Sequence, residues 1–445
     1  MTGVKWSLRG VFGLLLCLGM FGPVQAADIQ VQREVLPNGL VLQVVSRPAL
    51  PIVTVELAVR AGADRDAKAG TANLVAALLT EGTETRDAGD IAEAIEFVGG
   101  SLSASADRDY ASVGLSVLSR DLPMGMDVLA DVVRHPAFVE AELERVRAEV
   151  QSAIKADEDN PRRVAAKAFN AELFADHPYG RPVEGDADSV ATITRTDLSD
   201  FHHDYYRPNN AILSLVGDVT LAQARKLAIT ALGDWQTQPV TVLEAVTVTA
   251  PTATRLVTVD RSLAQANVVM GHLGLRRDNP DFYPVLVMNY ILGGGGFTSR
   301  VVKSVRDDQG LAYSIYTGFD AKRSSGSFSV VFQTQNSNTN QAIDSVLKEL
   351  SRIRQEPVSE QELDEAKSYL SGSFPLRLDT NRKTAHLLTF IEIHGLGLGY
   401  FDDYVAHIRA VTPEAVSRVA KDYLDPQNMI WVVVGNQEEA AVVVP

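Results

Sequence analysis

Metal-assisted, nucleophilic and phosphate-binding chemistry each demand a recognisable set of residues, and this sequence holds few of them. Its eight histidines are His135, His177, His202, His203, His272, His386, His394 and His407. No two are spaced three or four apart on a helix, the spacing that turns two imidazoles toward one ion. His202 and His203 are adjacent and so point to different faces. Glu144 and Glu149 lie on one helical stretch without an imidazole in register, and they read as solvated charges. The only cysteine is Cys17, in an apolar run near the N-terminus, so beyond it a thiolate nucleophile, a thiolate metal site and a disulfide are all excluded. A run of four glycines, Gly293, Gly294, Gly295 and Gly296, stands in "NYILGGGGFTSRVVKSVRDDQGLAYSIYTGF". No Gly-Lys-Ser/Thr follows, so it is not a phosphate cradle. Two uses stay open: a loop that needs positive φ angles, or bare backbone that another chain can approach.

The elements that must position these residues follow from composition and periodicity. With 445 residues, 46% apolar and 22% charged, the chain has ample core for two domains. Lys5 and Arg9, the apolar run Val11 to Phe21 and then Val24-Gln25-Ala26 form an export signal over residues 1–26, cleaved after about Ala26. The apolar run is too short to cross a bilayer, which predicts a periplasmic protein with no membrane insertion after signal removal. The whole chain carries a formal charge of −15, and loss of Lys5 and Arg9 takes it to −17. Such a balance argues against nucleic acid and anionic lipid as partners. "REVLPNGLVLQVVSR" and "PIVTVELAVRAG" predict strands around an Asn38-Gly39 turn. Helices are expected over Ala69 to Leu79, Ile91 to Val98, Glu140 to Asp157 and Pro161 to Leu173, with alternating strands after Gly99-Gly100.

An internal echo organises the whole. Thr194, Ser199, Asp204, Tyr205, Pro208, Asn210, Ile212, Val216 and Gly217 recur without a gap 218 residues on, from Thr412 to Gly435. Each copy reads as a threonine-capped helix, a proline stop and an apolar strand ending in Val-Gly. The fold class expected is α+β, as two duplicated domains, each an antiparallel-rich sheet packed with helices. The expected division is residues 27–235, a linker at 236–252, and residues 253–445.

The helix "GTANLVAALLTEGT" carries a resemblance. With the Leu-Pro-Asn-Gly strand, Gly99-Gly100, "HPYGRPVEG" and "LGGGGFTSR", it is similar to the insulinase/pitrilysin zinc metallopeptidases across nearly the whole chain beyond the signal. In that family this helix bears Gly-x-x-His-x-x-Glu-His, two metal-binding histidines and the glutamate that activates water. Here those positions are Asn73, Ala77 and Ala76, and the third ligand's position, counted back from Asp159-Asn160-Pro161, falls on Ala153. A methyl group has no lone pair and a lone amide is a weak ligand, so no metal is expected in this chain.

The resemblance further implies that Arg306 and Tyr313 match the arginine and tyrosine that these peptidases direct at the scissile peptide, and that Gly293 to Gly296 present peptide substrates. A guanidinium and a phenol are donors suited to a carbonyl oxygen gaining negative charge. The alternative is an Arg306 paired with Asp307 or Asp308 and a Tyr313 packed in the sheet. Some bacterial members work as heterodimers with zinc in one subunit, and this sequence resembles the other. The expectation is an accessory subunit, a half of a clam shell, with zinc in a homologous partner and with peptides as substrates that pair with a sheet edge. Competing readings are a peptide-holding scaffold outside catalysis, like the respiratory-complex core subunits of this fold, and a stand-alone peptidase with an unrecognised metal site.

Overall fold

The computed structural model describes residues 29–241 and 248–444. The expected export signal, residues 1–26, and six residues of the expected linker, 242–247, lie outside the described residues. In the first half the order is β1 (Gln32–Val35), β2 (Val41–Ser46), β3 (Ile52–Val59), α1 (Thr71–Leu78), α2 (Ala88–Glu96), β4 (Ser101–Ala106), β5 (Ala111–Leu118), α3 (Leu122–Arg134), α4 (Glu140–Glu158), α5 (Pro161–Phe174), α6 (Ala187–Thr192), α7 (Arg195–Tyr205), β6 (Ala211–Gly217) and α8 (Leu221–Leu232). The second half follows with β7 (Arg255–Asp260), β8 (Gln265–Leu273), α9 (Phe282–Asn289), β9 (Ala312–Asp320), β10 (Ser327–Gln335), α10 (Thr339–Gln355), α11 (Glu360–Ser373), α12 (Asn381–Ile393), α13 (Tyr400–Ala410), α14 (Pro413–Tyr423), β11 (Ile430–Gly435) and α15 (Gln437–Ala440).

Two mixed sheets result, ordered β1-β2-β6-β3-β5-β4 and β7-β11-β8-β10-β9. Set β2 against β7, β6 against β11, β3 against β8, β5 against β10 and β4 against β9, and the two orders coincide. In each sheet the one parallel pair is the same, β2 with β6 and β7 with β11. The echo seen in sequence is therefore a duplicated topology. Its local devices repeat as well: Thr194 accepts from the Asp197 N–H to cap α7, and Thr412 accepts from the Ala415 N–H to cap α14. Asn38-Gly39 does make the β1–β2 turn, with Gly39 at φ +82°, but β3 does not sit beside β2. Strand β6 lies between them, because a sheet buried on both faces places its most apolar strands centrally. Helix α2 begins three residues before the predicted Ile91, where Asp87 and Asp90 form a capping box.

Each sheet rests one face on the helices of its own half and the other on a single helix from the opposite half. Helix α5 crosses to lie over β11 and β8, while α12 crosses back over β6 and β3. Phe169 of α5, 3% exposed, packs with Val269, Ile430, Val432 and Val434 of the second sheet. Gly271 makes that possible, since a Cβ there would stand 2.8 Å from the Phe169 ring and closer still to the Phe328 carbonyl. In return Ala385, Leu388 and Ile391 of α12 share a core with Val45 and Val216 of the first sheet. Beneath α12 runs a polar relay. Arg33 donates twice to Glu392, Gln43 donates to the same carboxylate at 3.0 Å, and Ser214 donates to Gln43. The Arg33 guanidinium holds the Glu392 carboxyl below its ordinary range. A second tie joins Arg323, at the tip of the β9–β10 hairpin, to the buried Asp64 of the first half.

Cutting Phe169 to alanine should cost about 3–5 kcal/mol, as for other buried aromatics. Trp235 and Trp431 stand one in each half, so single-tryptophan variants followed in urea give separate reports. The expected outcome is that Phe169→Ala lowers both midpoints together. A shift confined to one tryptophan would contradict the exchange as the source of cohesion.

Candidate functional site

Helix α1 is anchored at its start by Asp66, which accepts from the N–H groups of Gly70 and Ala72, both at 2.8 Å. Burial nevertheless pushes the Asp66 carboxyl up to about 7. Apolar residues Leu74, Val75 and Leu78 turn into the first-half core, which leaves Asn73 and Ala77, one turn apart, half exposed. Ala76 is buried at 1% exposure. On α4, which packs against α1, Ala153 is exposed. It shares a helical face with Glu149 and Arg145, four and eight residues earlier. Arg145 draws Glu149, Glu142 and Glu81 into an ion network across that corner. Neither alanine nor a single amide supplies the donors a divalent ion needs, so a zinc ion does not fit the residues present. Among the described residues no group of three or more His, Cys, Asp or Glu is placed to hold a metal ion. Burial pushes His202 and His394 down to about 4, and His202 bonds only the Val133 carbonyl.

The second constellation forms where the glycine run meets β9. After α9 the chain makes one wide helical turn, Tyr290–Gly294, and after a short turn another, Val302–Asp308. The run is thus a tight corner. A Cβ on Gly293 would stand 2.5 Å from the Thr317 hydroxyl, which itself bonds Asn289 at 2.8 Å. Gly296, at φ +61° with open space around it, is the position that leaves backbone bare. Arg300 fastens the corner to α11: its guanidinium, 9% exposed as a residue, donates twice to Glu362 at 2.6 and 2.9 Å. Burial works against the Glu362 charge, but the Arg300 and Ser359 donors prevail and hold it at about 2.

This corner delivers Arg306 and Tyr313 to one place. The Arg306 guanidinium carbon lies 5.4 Å from the Tyr313 ring centre and 4.6 Å from that of Phe297. Tyr313 is 84% exposed on the edge strand β9, so it does not pack in the sheet, and Asp307 stands at 4.0 Å from Arg306, the limit of an ion pair. Neither the guanidinium nor the phenol hydroxyl makes a hydrogen bond among the described residues. Phe297, 72% exposed, was not singled out from sequence, although an aromatic directly after four glycines is the signal that marks it. Two rings clasp a cation whose donors stay unspent.

A two-domain α+β chain that repeats one topology and exchanges a helix between its halves defines the fold class. Residues 42–187 match the family model described as Insulinase (Peptidase family M16), and residues 192–370 that described as Peptidase M16 inactive domain. An uncharacterized zinc protease of Mycobacterium tuberculosis is 31% identical over 404 residues, 90% of this chain and 92% of that one. The non-peptidase homolog YmxG of Helicobacter pylori is 26% identical over 431 residues, 96% and 99% of the two chains. A crystal structure of the peptidase M16 inactive domain from Pseudomonas fluorescens superposes with a TM-score of 0.87 at 28% identity, covering 92% of this chain and 98% of that one. This chain belongs to the insulinase family.

Replacing Glu362 by glutamine leaves Arg300 short of its charge partner. Because about a third of the Glu362 side chain meets water (30%), the cost should be roughly 2–3 kcal/mol, below the range for a fully buried pair. The sign in pH is that of a depressed carboxyl: its contribution is present above the ordinary glutamate range and disappears as pH falls through about 2. Thermal unfolding of wild type and Glu362→Gln should differ at pH 7 and converge near pH 2. A constant difference would remove the ion pair from the account.

Proposed function

We propose that this chain is the metal-lacking accessory subunit of a periplasmic zinc endopeptidase, lending Arg306 and Tyr313 to peptides held between it and a zinc-bearing homologous partner. The observation that carries this is the exposed cluster of Arg306, Tyr313 and Phe297, with its donors free, on a chain whose Asn73, Ala76, Ala77 and Ala153 offer a metal nothing. A guanidinium fixed between two rings pays little entropy to meet a carbonyl oxygen that gains charge. Gly296 leaves bare backbone beside it, where an extended peptide would run, and the edge strands β4 and β9 offer unpaired backbone groups for such a peptide. Export rests on residues 1–26, and among the described residues no helix is long and apolar enough to cross a membrane.

The name of the Helicobacter pylori relative favours a second reading, a scaffold of this fold outside catalysis. Two measurements test these readings, and the second separates them. Purified alone, the mature chain should carry no stoichiometric zinc by elemental analysis and should leave unstructured peptides intact; tight zinc with turnover refutes the accessory role. Assembled with a zinc-bearing homologue, Arg306→Ala should lower kcat/KM roughly a hundredfold and Tyr313→Phe roughly tenfold, with the complex intact by size exclusion. Unchanged rates in both variants would leave the scaffold standing.

A further inference from the structure

Because α12 covers only β6 and β3, the strands β5 and β4 stay open on that face of the first sheet, and a groove of 410 Å³ runs between them and the helix. Register lays out its floor in rows. Ser101, Ser116 and Thr54 stand side by side, then Ser103, Gly114 and Glu56, then Ser105 and Ser112. Arg382, Lys383 and His386 of α12 form the wall.

Three features of this groove leave room for a ligand. Glu56 is 8% exposed and forms an ion pair with His386 Nδ1 at 3.6 Å, but at that distance its wholly buried Oε1 still receives no hydrogen bond. A buried acceptor without a donor costs free energy unless something arrives to fill it. Gly114, second, interrupts a strand without needing to. A Cβ there would meet only the Ser103 hydroxyl at 3.7 Å, so neither packing nor backbone angle demands glycine, and its bareness keeps the space beside Glu56 open. Third, Arg382 has no acidic partner among the described residues, whereas Lys383 is matched by Asp379. Among the described residues the floor hydroxyls likewise make no side-chain hydrogen bond.

A simple anion would meet Glu56, and a simple cation would meet Arg382, Lys383 and His386. A ligand bearing both charges satisfies both ends. Arg382 lies one turn, about 6 Å, along α12 from His386, and the Thr54 row lies two strand residues, about 7 Å, from the Glu56 row. An extended dipeptide spans about 7 Å. We infer that this groove is a binding site for short zwitterionic peptides, with the ammonium group on Glu56 and the carboxylate on Arg382. The site needs neither a partner chain nor turnover, so it stands or falls separately from the accessory role.

Isothermal titration of the full mature chain with L-alanyl-L-alanine tests it. Saturable one-to-one binding is expected, weakened at least tenfold by acetylating the amine or amidating the carboxylate. Glu56→Gln and Gly114→Val should each lose at least tenfold, the latter by filling the groove without touching a charge. Arg382→Ala, at an exposed position that keeps the fold, should bind the peptide and its amide alike. Absence of binding up to about 10 mM, equal binding of the acetylated peptide, or unaltered binding by a folded Gly114→Val variant would each overturn the assignment.

Discussion

Helix α5 leaves its own half to bury Phe169 on the second sheet, and α12 answers by laying Ala385, Leu388 and Ile391 over the first. Each sheet thereby gains the cover its apolar outer face requires, from a helix it does not own. A bilayered sheet with one face bare would expose Val45, Val216, Ile430 and Val432 to water. At roughly 25 cal/mol per Å² of apolar surface, closing both faces is the largest single gain that joining the halves provides. The polar relay of Arg33, Gln43 and Ser214 meets α12 at Glu392, tying that helix to the first sheet at one point along its length.

From this coupling follows the geometry of the two corners. Helix α1 and the glycine corner each pack near the edge strand of their own sheet. The two places differ in character. One is small and inert, with Asn73 and two alanines, while the other gathers Phe297, Arg306 and Tyr313 around a bare Gly296. The grooves beside the exchanged helices differ too. The one under α12 is lined by hydroxyls and charges. Its counterpart beside α5 carries Phe169, Val269 and Val331 with the amides of Asn170, Asn267 and Gln333. One fold used twice thus presents two unlike walls.

Much of the architecture was legible because it is written locally. The threonine caps, Asn38-Gly39 and the long amphipathic helices depend on residues a turn apart, and the 218-residue echo exposed the duplication without any structure. The strand order was not legible. That β6 inserts between β2 and β3 depends on partners some 150 residues distant, about which periodicity is silent. The glycine run shows the limit from the other side. Residue type left open a loop needing positive φ angles or a bare backbone, whereas of the four only Gly296 has a positive φ and Gly293 is small because Thr317 crowds it, a contact between segments. The resemblance singled out Arg306 and Tyr313 but not Phe297, whose ring stands beside the same guanidinium. Glu56 and His386, on different halves, could be joined only in three dimensions.

The exchange of helices also dictates an order of events during synthesis. The chain emerges N-terminus first, so every strand of the first sheet is made well before Asn381–Ile393 exists to shield it. Until then one flank of that sheet stays uncovered while the segment between Gly217 and Asn381 is made. The two halves therefore close on one another late, rather than folding as two beads in turn.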